Sequence, residues 1–410
     1  MKSTILLPTI CLLANTALAQ SYILNNDRSE NYTITRMDAN GDGLDDVLVM
    51  RETDNRWHCD PYADGTQIFY NTGDDTFERK KISGKHFQAT RIGDINGDGI
   101  DDVLGTTMCD ENGMFLSSPT GHKYQRLQGN VPSHGGAIGD YDGDGDVDIF
   151  VIENRIYKKP HSHNVGVYEN VDGKFMPYKR IMRGHPWSIE LVDWDADGDL
   201  DIVTGGSNDD GQLVVAYNNK GKFSKFKSIG VEVKWHNDIW FHTQIIKKLD
   251  VDSDGDLDLV QSTGLTKQDN GPKWNDINLY VFENTASGFS NKPYTVNVGD
   301  EYDPDGAQFW AKDLYVEDLN RDGVNDIVVN NLGTVERWYA NGFPHVYIRQ
   351  DNKYVHQLDG INQRFSGSDG ACSFLPLKMK AGVGIAYVQF TSTIKSLKIL
   401  ALGEGFEPSR

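Results

Sequence analysis

Cysteine is scarce in this 410-residue chain, four residues in all, and no CxxC pair occurs. Zinc and thiol-redox centres use that spacing, so neither has support. Cationic residues are also few, 40 Lys and Arg against 60 Asp and Glu, for a formal charge of −20. Nucleic acid and anionic membranes both demand clustered cations, so neither is expected as a partner. Beyond the first twenty residues no apolar run reaches ~18 residues, and no membrane span is predicted. Nucleophile-elbow and zinc-protease motifs are missing, which removes support for ester hydrolysis and proteolysis. Disorder is excluded by a hydrophobic share of 38% with 17 Phe, 18 Tyr and 8 Trp. Glycine is plentiful, 42 residues against a usual ~7%, which suits a turn-rich all-β chain.

Lys2 precedes an apolar run from Ile5 to Leu13, and Ala17-Leu18-Ala19 has the small-x-small form that signal peptidase reads. Residues 1–19 are therefore expected to be a signal peptide cleaved before Gln20, and the mature chain to be secreted, extracellular or periplasmic. Removal of Cys11 leaves Cys59, Cys109 and Cys372. Cys59 and Cys109 occupy similar places in neighbouring repeats and form the natural disulfide pair; three buried, unpaired cysteines are the equal alternative.

One frame is written six times. Asp38, Asn40, Asp42 and Asp46 set it, and it returns as Asp94, Asn96, Asp98, Asp102 and as Asp140, Asp142, Asp144, Asp148. The later copies are Asp193, Asp195, Asp197, Asp201, then Asp250, Asp252, Asp254, Asp258, then Asp318, Asn320, Asp322, Asp326. Oxygen donors at positions 1, 3, 5 and 9, with a backbone carbonyl at position 7, can surround one Ca²⁺ at about 2.3–2.6 Å. Position 7 is Leu44, Ile100, Asp146, Asp199, Asp256 or Val324, a variety expected if only its carbonyl matters. Glycine at position 6 supplies a tight turn. About six calcium ions are expected.

An EF-hand would need Glu at position 12 and flanking helices. Position 12 is instead Val49, Gly105, Val151, Thr204, Gln261 and Val329, and the loops run into short β segments such as Ile327-Val328-Val329. A lead-in strand precedes each loop, and a hairpin follows some of them: Ile68 to Phe77, Val167 to Phe175, Val215 to Phe223 and Leu279 to Phe289. Four strands per repeat at a period near 55 make a propeller blade.

With these loops the chain resembles the calcium-loop β-propellers of the FG-GAP or VCBS repeat family, to which integrin α-subunit heads belong. The resemblance implies an all-β propeller of about seven four-stranded blades over residues 20–370. It also implies metal loops joining strands 1 and 2 on the bottom face, with ligands meeting the top face. Relatives include adhesion proteins, lectins and polysaccharide lyases, so the resemblance does not choose a function.

The seventh copy breaks the frame. Phe374-Leu375 stands where Asp should open the loop, and Ala371 to Gly403 holds no acidic residue but contains Lys378, Lys380, Lys395 and Lys398. Residues 371–410 read as a degenerate or aberrant blade and tail, the product of a frameshift or run-on, and the last blade is expected to be incomplete. A divergent closing blade is the alternative.

The predicted top-face segments hold Trp187, Trp235, Trp240 and Trp310, with His86, His134, His185 and His242 at related strand starts. Exposed indoles beside polar groups stack on sugar rings, and imidazoles there could act as acid and base. Each ring alone is as readily a core or strand-start residue. The expected function is a secreted binding or adhesion module for a glycan or an extracellular protein. The alternative is a propeller-fold polysaccharide lyase or hydrolase with channel-mouth histidines in the acid and base roles.

Overall fold

The computed structural model describes residues 19–25, 31–52, 65–83, 87, 89–107, 112–129, 131–154, 163–184, 186–206, 213–229, 239–267, 278–297, 311–331, 345–350, 353–356, 370–380, 382–390 and 395–401. These contain no helix, and so none long and apolar enough to cross a membrane.

Strands β2 (Asn31–Met37), β3 (Asp46–Glu52), β4 (Thr66–Asn71) and β5 (Phe77–Ser83) pair in that order as an antiparallel sheet, blade 1. Blade 2 repeats the plan with β6 (Ala89–Gly93), β7 (Asp102–Thr106), β8 (Gly113–Ser118) and β9 (Gly121–Arg126). Blade 3 comprises β10 (Ser133–Gly139), β11 (Asp148–Asn154), β12 (His163–Tyr168) and β15 (Lys179–Gly184), with a small hairpin of β13 (Asn170–Val171) and β14 (Lys174–Phe175). In blade 4 the strands are β16 (Pro186–Val192), β17 (Asp201–Gly206), β18 (Leu213–Ala216) and β19 (Lys227–Ile229). Blade 5 has β20 (Ile239–Leu249), β21 (Asp258–Lys267), β22 (Asn278–Phe282) and β23 (Tyr294–Asn297). Blade 6 has β24 (Ala311–Glu317), β25 (Asp326–Asn331), β26 (His345–Gln350) and β27 (Lys353–His356).

The seventh sheet corrects the expectation of an incomplete last blade. β28 (Gly370–Met379), β29 (Gly382–Phe390) and β30 (Lys395–Ala401) come from the C-terminal segment, and β1 (Ala19–Asn25) pairs with β30 as the fourth strand. The segment lacks acids because it has no loop to build, yet its apolar pattern is intact: Phe374, Leu375, Leu377, Val388, Leu397 and Ile399 are all buried. The chain is thus a seven-bladed β-propeller closed by strands from both termini.

Alternation along the strands explains the packing. On β3, Val47 and Val49 join the core shared with blades 6 and 7, while Leu48 and Met50 join the core shared with blade 2. A period of two turns successive side chains to opposite faces, so each sheet is apolar on both and needs a neighbour on each side. First strands of successive blades contact one another, β6 with β10, β10 with β16, β16 with β20 and β20 with β24, which sets them innermost.

Three of the expected hairpins differ in detail. Phe175, Phe223 and Phe289 precede the fourth strand instead of lying in it. They pack backwards: Phe223 stacks on Tyr141 at 5.8 Å and Phe289 on Trp194 at 5.2 Å, both in the loop of the preceding blade.

Candidate functional site

All six acidic loops join the first strand of a blade to its second, at one end of the ring. The position 1 carboxylate organises each turn: Asp38 Oδ1 accepts the Gly41 amide at 2.7 Å and its Oδ2 accepts Gly43 at 2.8 Å. The same Oδ2 bond recurs from Gly99, Gly145, Gly198 and Gly323 at 2.8–2.9 Å. Position 6 is glycine for backbone reasons. Its φ runs from 80° to 96°, beyond the left-handed basin that Ala196, Ser253 and Arg321 occupy at position 4 with φ of 58–69°.

Position 9 opens the second strand, and Asp46, Asp102, Asp148, Asp201, Asp258 and Asp326 are at most 1% exposed. One oxygen of each accepts the position 2 amide at 2.9–3.3 Å. The other accepts an amide at or just after the third strand, at 2.6–2.9 Å. These carboxyls clamp the loop to strand three. Burial pushes them up, to about 7 at Asp46, Asp148 and Asp326 and about 6 at Asp102, Asp201 and Asp258; backbone donors oppose the rise and loop aspartates add to it.

The donor set fits a hard dication. Carboxylate oxygens of Asp140, Asp142 and Asp148, of Asp193, Asp195 and Asp197, and of Asp250, Asp252 and Asp254 each lie within 4.8 Å of one another. Asp142 Oδ1 and Asp256 Oδ1 are shielded from solvent without a hydrogen-bond partner. Oxygens so gathered repel one another until a cation or proton intervenes.

Two loop positions carry roles that the frame did not disclose. Position 2 (Ala39, Ile95, Tyr141, Trp194, Val251, Leu319) is buried in every copy. Position 7, expected to be free, is used: Asp146 Oδ2 accepts Asp172 N at 2.7 Å and Asp199 Oδ2 accepts Lys220 N at 2.9 Å, capping turns of their own blades. Position 8 reaches sideways, Asp101 accepting Asp38 N at 2.9 Å and Asn325 Nδ2 donating to Asp250 O at 2.6 Å.

At the opposite end the first strands begin. His134 and Trp187, in consecutive blades, meet there with ring centroids 4.9 Å apart, and Asn154 donates its amide to His134 Nε2. Both residues sit at register shifts, between Ser133 and Gly136 on β10 and between Pro186 and Ser188 on β16. Such bulges re-aim side chains. In blade 5 the shift lies between Thr243 and Ile245, and beyond it Ile239–Thr243 pair with Thr263–Lys267. Among the described residues, the third strand of that blade pairs with residues 259–262. Among the described residues, blade 5 thus continues as a two-stranded ribbon, with Trp240 opposite Thr266 and His242 opposite Gly264 in register. Descriptions of the Trp240 and His242 side chains, of His86, His185, Trp235 and Trp310, and of Cys59 and Cys109 lie outside the described residues.

The inner strands also carry ion pairs that the sequence did not reveal. Arg36 Nη1 meets Glu317 Oε2 at 2.7 Å, Lys247 Nζ meets Asp313 Oδ1 at 2.7 Å, and Arg91 Nε lies 3.5 Å from Glu190 Oε1. Arg91 belongs to blade 2 and Glu190 to blade 4, so the guanidinium passes blade 3, whose first strand carries Gly135, Gly136 and Gly139. No periodicity within one repeat can signal a contact between blades.

The sequence matches the profile of the FG-GAP-like repeat at residues 38–105 and 140–204. Among solved structures, BBS1N, described in complex with ARL6DN, aligns at 10% identity with a TM-score of 0.50, covering 95% of this chain and 98% of that one. The Dos1 propeller aligns at 7% identity and a TM-score of 0.45, covering 96% and 97%. At these identities the likeness concerns fold alone. No curated protein matches.

Proposed function

We propose that this chain, FG-GAP-like repeats on a seven-bladed propeller, is an exported, calcium-stabilised binding module. Its ligand is a glycan met at the end opposite the acidic loops. One observation carries the reading: at that end three consecutive blades, 3 to 5, begin with His134, with Trp187 and with the ribbon bearing Trp240 and His242. An indole face beside imidazole and amide groups offers a sugar both an apolar platform and polar partners. Positions 1, 3, 5 and 9 of each loop would hold calcium, with a position 7 carbonyl. The ion would supply the positive charge that the gathered carboxylates lack.

Glycan-array binding by the mature chain, with and without chelator, tests the reading. Trp240→Ala combined with His242→Ala is expected to abolish binding while calcium content and melting temperature persist. Retained binding by the double variant would remove the far end as the site. Binding to extracellular protein with none to any glycan would move the reading to a protein partner, the kind of complex in which BBS1N is described. Metal analysis giving fewer than about four calcium ions per chain would remove the calcium assignment.

A further inference from the structure

We infer that the six loops form two classes of calcium site, a tight set in blades 3, 4 and 5 and a weak set in blades 1, 2 and 6. The inference rests on the calcium reading above and turns on position 3, which is Asp142, Asp195 and Asp252 in one set and Asn40, Asn96 and Asn320 in the other.

In the asparagine loops the position 5 carboxylate already has a donor. Asn40 Nδ2 donates to Asp42 at 2.9 Å, Asn96 Nδ2 to Asp98 at 3.1 Å, and Asn320 Nδ2 to Asp322 at 2.9 Å. A cation entering there must turn the amide and break that bond, and it gains one fewer negative ligand. Position 7 is apolar in the same three loops.

The aspartate loops are built differently. Three carboxylates converge within 4.8 Å in each. Among the described residues, the two shielded carboxylate oxygens without a partner, on Asp142 and Asp256, both belong to this set. Asp146, Asp199 and Asp256 at position 7 add a further charge beside each loop, the first two held there by amides of their own blades. Repulsion among these groups raises the free energy of the metal-free loop, and a dication relieves it. Calcium affinity follows ligand charge and site rigidity, so the extra carboxylates separate the sets. The position 8 acids of blades 1 and 2 do not restore the balance. Asp45 accepts Lys378 N at 2.5 Å and Asp101 accepts Asp38 N at 2.9 Å, both turned toward neighbouring blades.

Calorimetric titration of the chelator-stripped chain with calcium alone provides the test. Two phases of three ions each are expected, with dissociation constants at least ~10-fold apart. Asp142→Asn should move one ion from the tight phase to the weak one, and Asn96→Asp should move one the other way. Far-UV circular dichroism of each variant checks the fold; should Asp142→Asn unfold, Asn96→Asp decides alone. Six equivalent sites, or a partition unmoved by Asn96→Asp, would overturn the two classes and leave the calcium reading intact. Uptake of no calcium would overturn both.

Discussion

The rings of His134 and Trp187 lie 4.9 Å apart although they come from the first strands of different blades, and each sits at a bulge. Neither ring is fully buried. Trp187→Ala removes a contact between two rings at the propeller's far end and leaves the sheets' apolar faces intact. Ligand binding should fall by roughly 2- to 12-fold, because one stacked aromatic contributes about 0.5–1.5 kcal/mol beyond its area. The melting temperature should change little. A large loss of stability with unchanged binding, measured on the same preparation, would assign Trp187 to the core.

Asp46 separates structural from metal-binding roles within a loop. Its two oxygens accept the amides of Ala39 at 3.0 Å and Asn71 at 2.7 Å. Asp46→Ala leaves two buried donors unpaired, at a cost of about 1–3 kcal/mol each. Denaturant unfolding in chelator should already show that loss, and calcium should widen it because a metal ligand is lost as well. A variant destabilised only when calcium is present would mean that the carboxylate acts through the ion alone.

The seventh blade depends on the first described strand. Leu24 joins the core formed with blades 6 and 7, and Gln20 Oε1 accepts the Phe77 amide of blade 1 at 3.0 Å. Deleting residues 20–25 should expose β30 as an unpaired edge, lower the melting temperature and promote aggregation. Limited proteolysis should then cut first within residues 370–401. Equal protease resistance in the deleted chain would contradict closure by this strand.

His122 gives a pH test. Burial, with Lys80 nearby, pushes its imidazole down to about 4. Its Nδ1 meets Ser117 Oγ at 3.1 Å, and Tyr70 Oη bonds its Nε2. The folded-state value lies below the ordinary 6.5, so the unfolded chain takes up the proton first. This contribution to stability is complete above about pH 6.5 and is lost as the pH falls toward 4. Loop carboxyls titrate in the same range, so the readout is the difference between the natural chain and His122→Gln. That difference should shrink on acidification; a constant difference from pH 8 to 4.5 would refute the assignment.

Much of the architecture was legible in the linear chain. Six acidic frames at a period near 55, glycine at position 6 and β-rich flanks all follow from local geometry, and local geometry repeats with the sequence. Blade 7 was misread because an acidic loop served as the marker of a blade. Its tight turn needs no acids, and its fourth strand lies at the other end of the chain. Trp194 shows the same limit: in the sequence it is an indole inside a metal frame, in the fold a buried partner of Phe289. Burial at position 2, the Arg91–Glu190 pair and the meeting of His134 with Trp187 each require two blades to be in place. The sequence by itself determined the repeat, the loop chemistry and the all-β class, because these depend on residues a few positions apart. Only the tertiary structure decided what faces what, because propeller cores and ends are formed between sheets whose residues are some fifty or more positions apart.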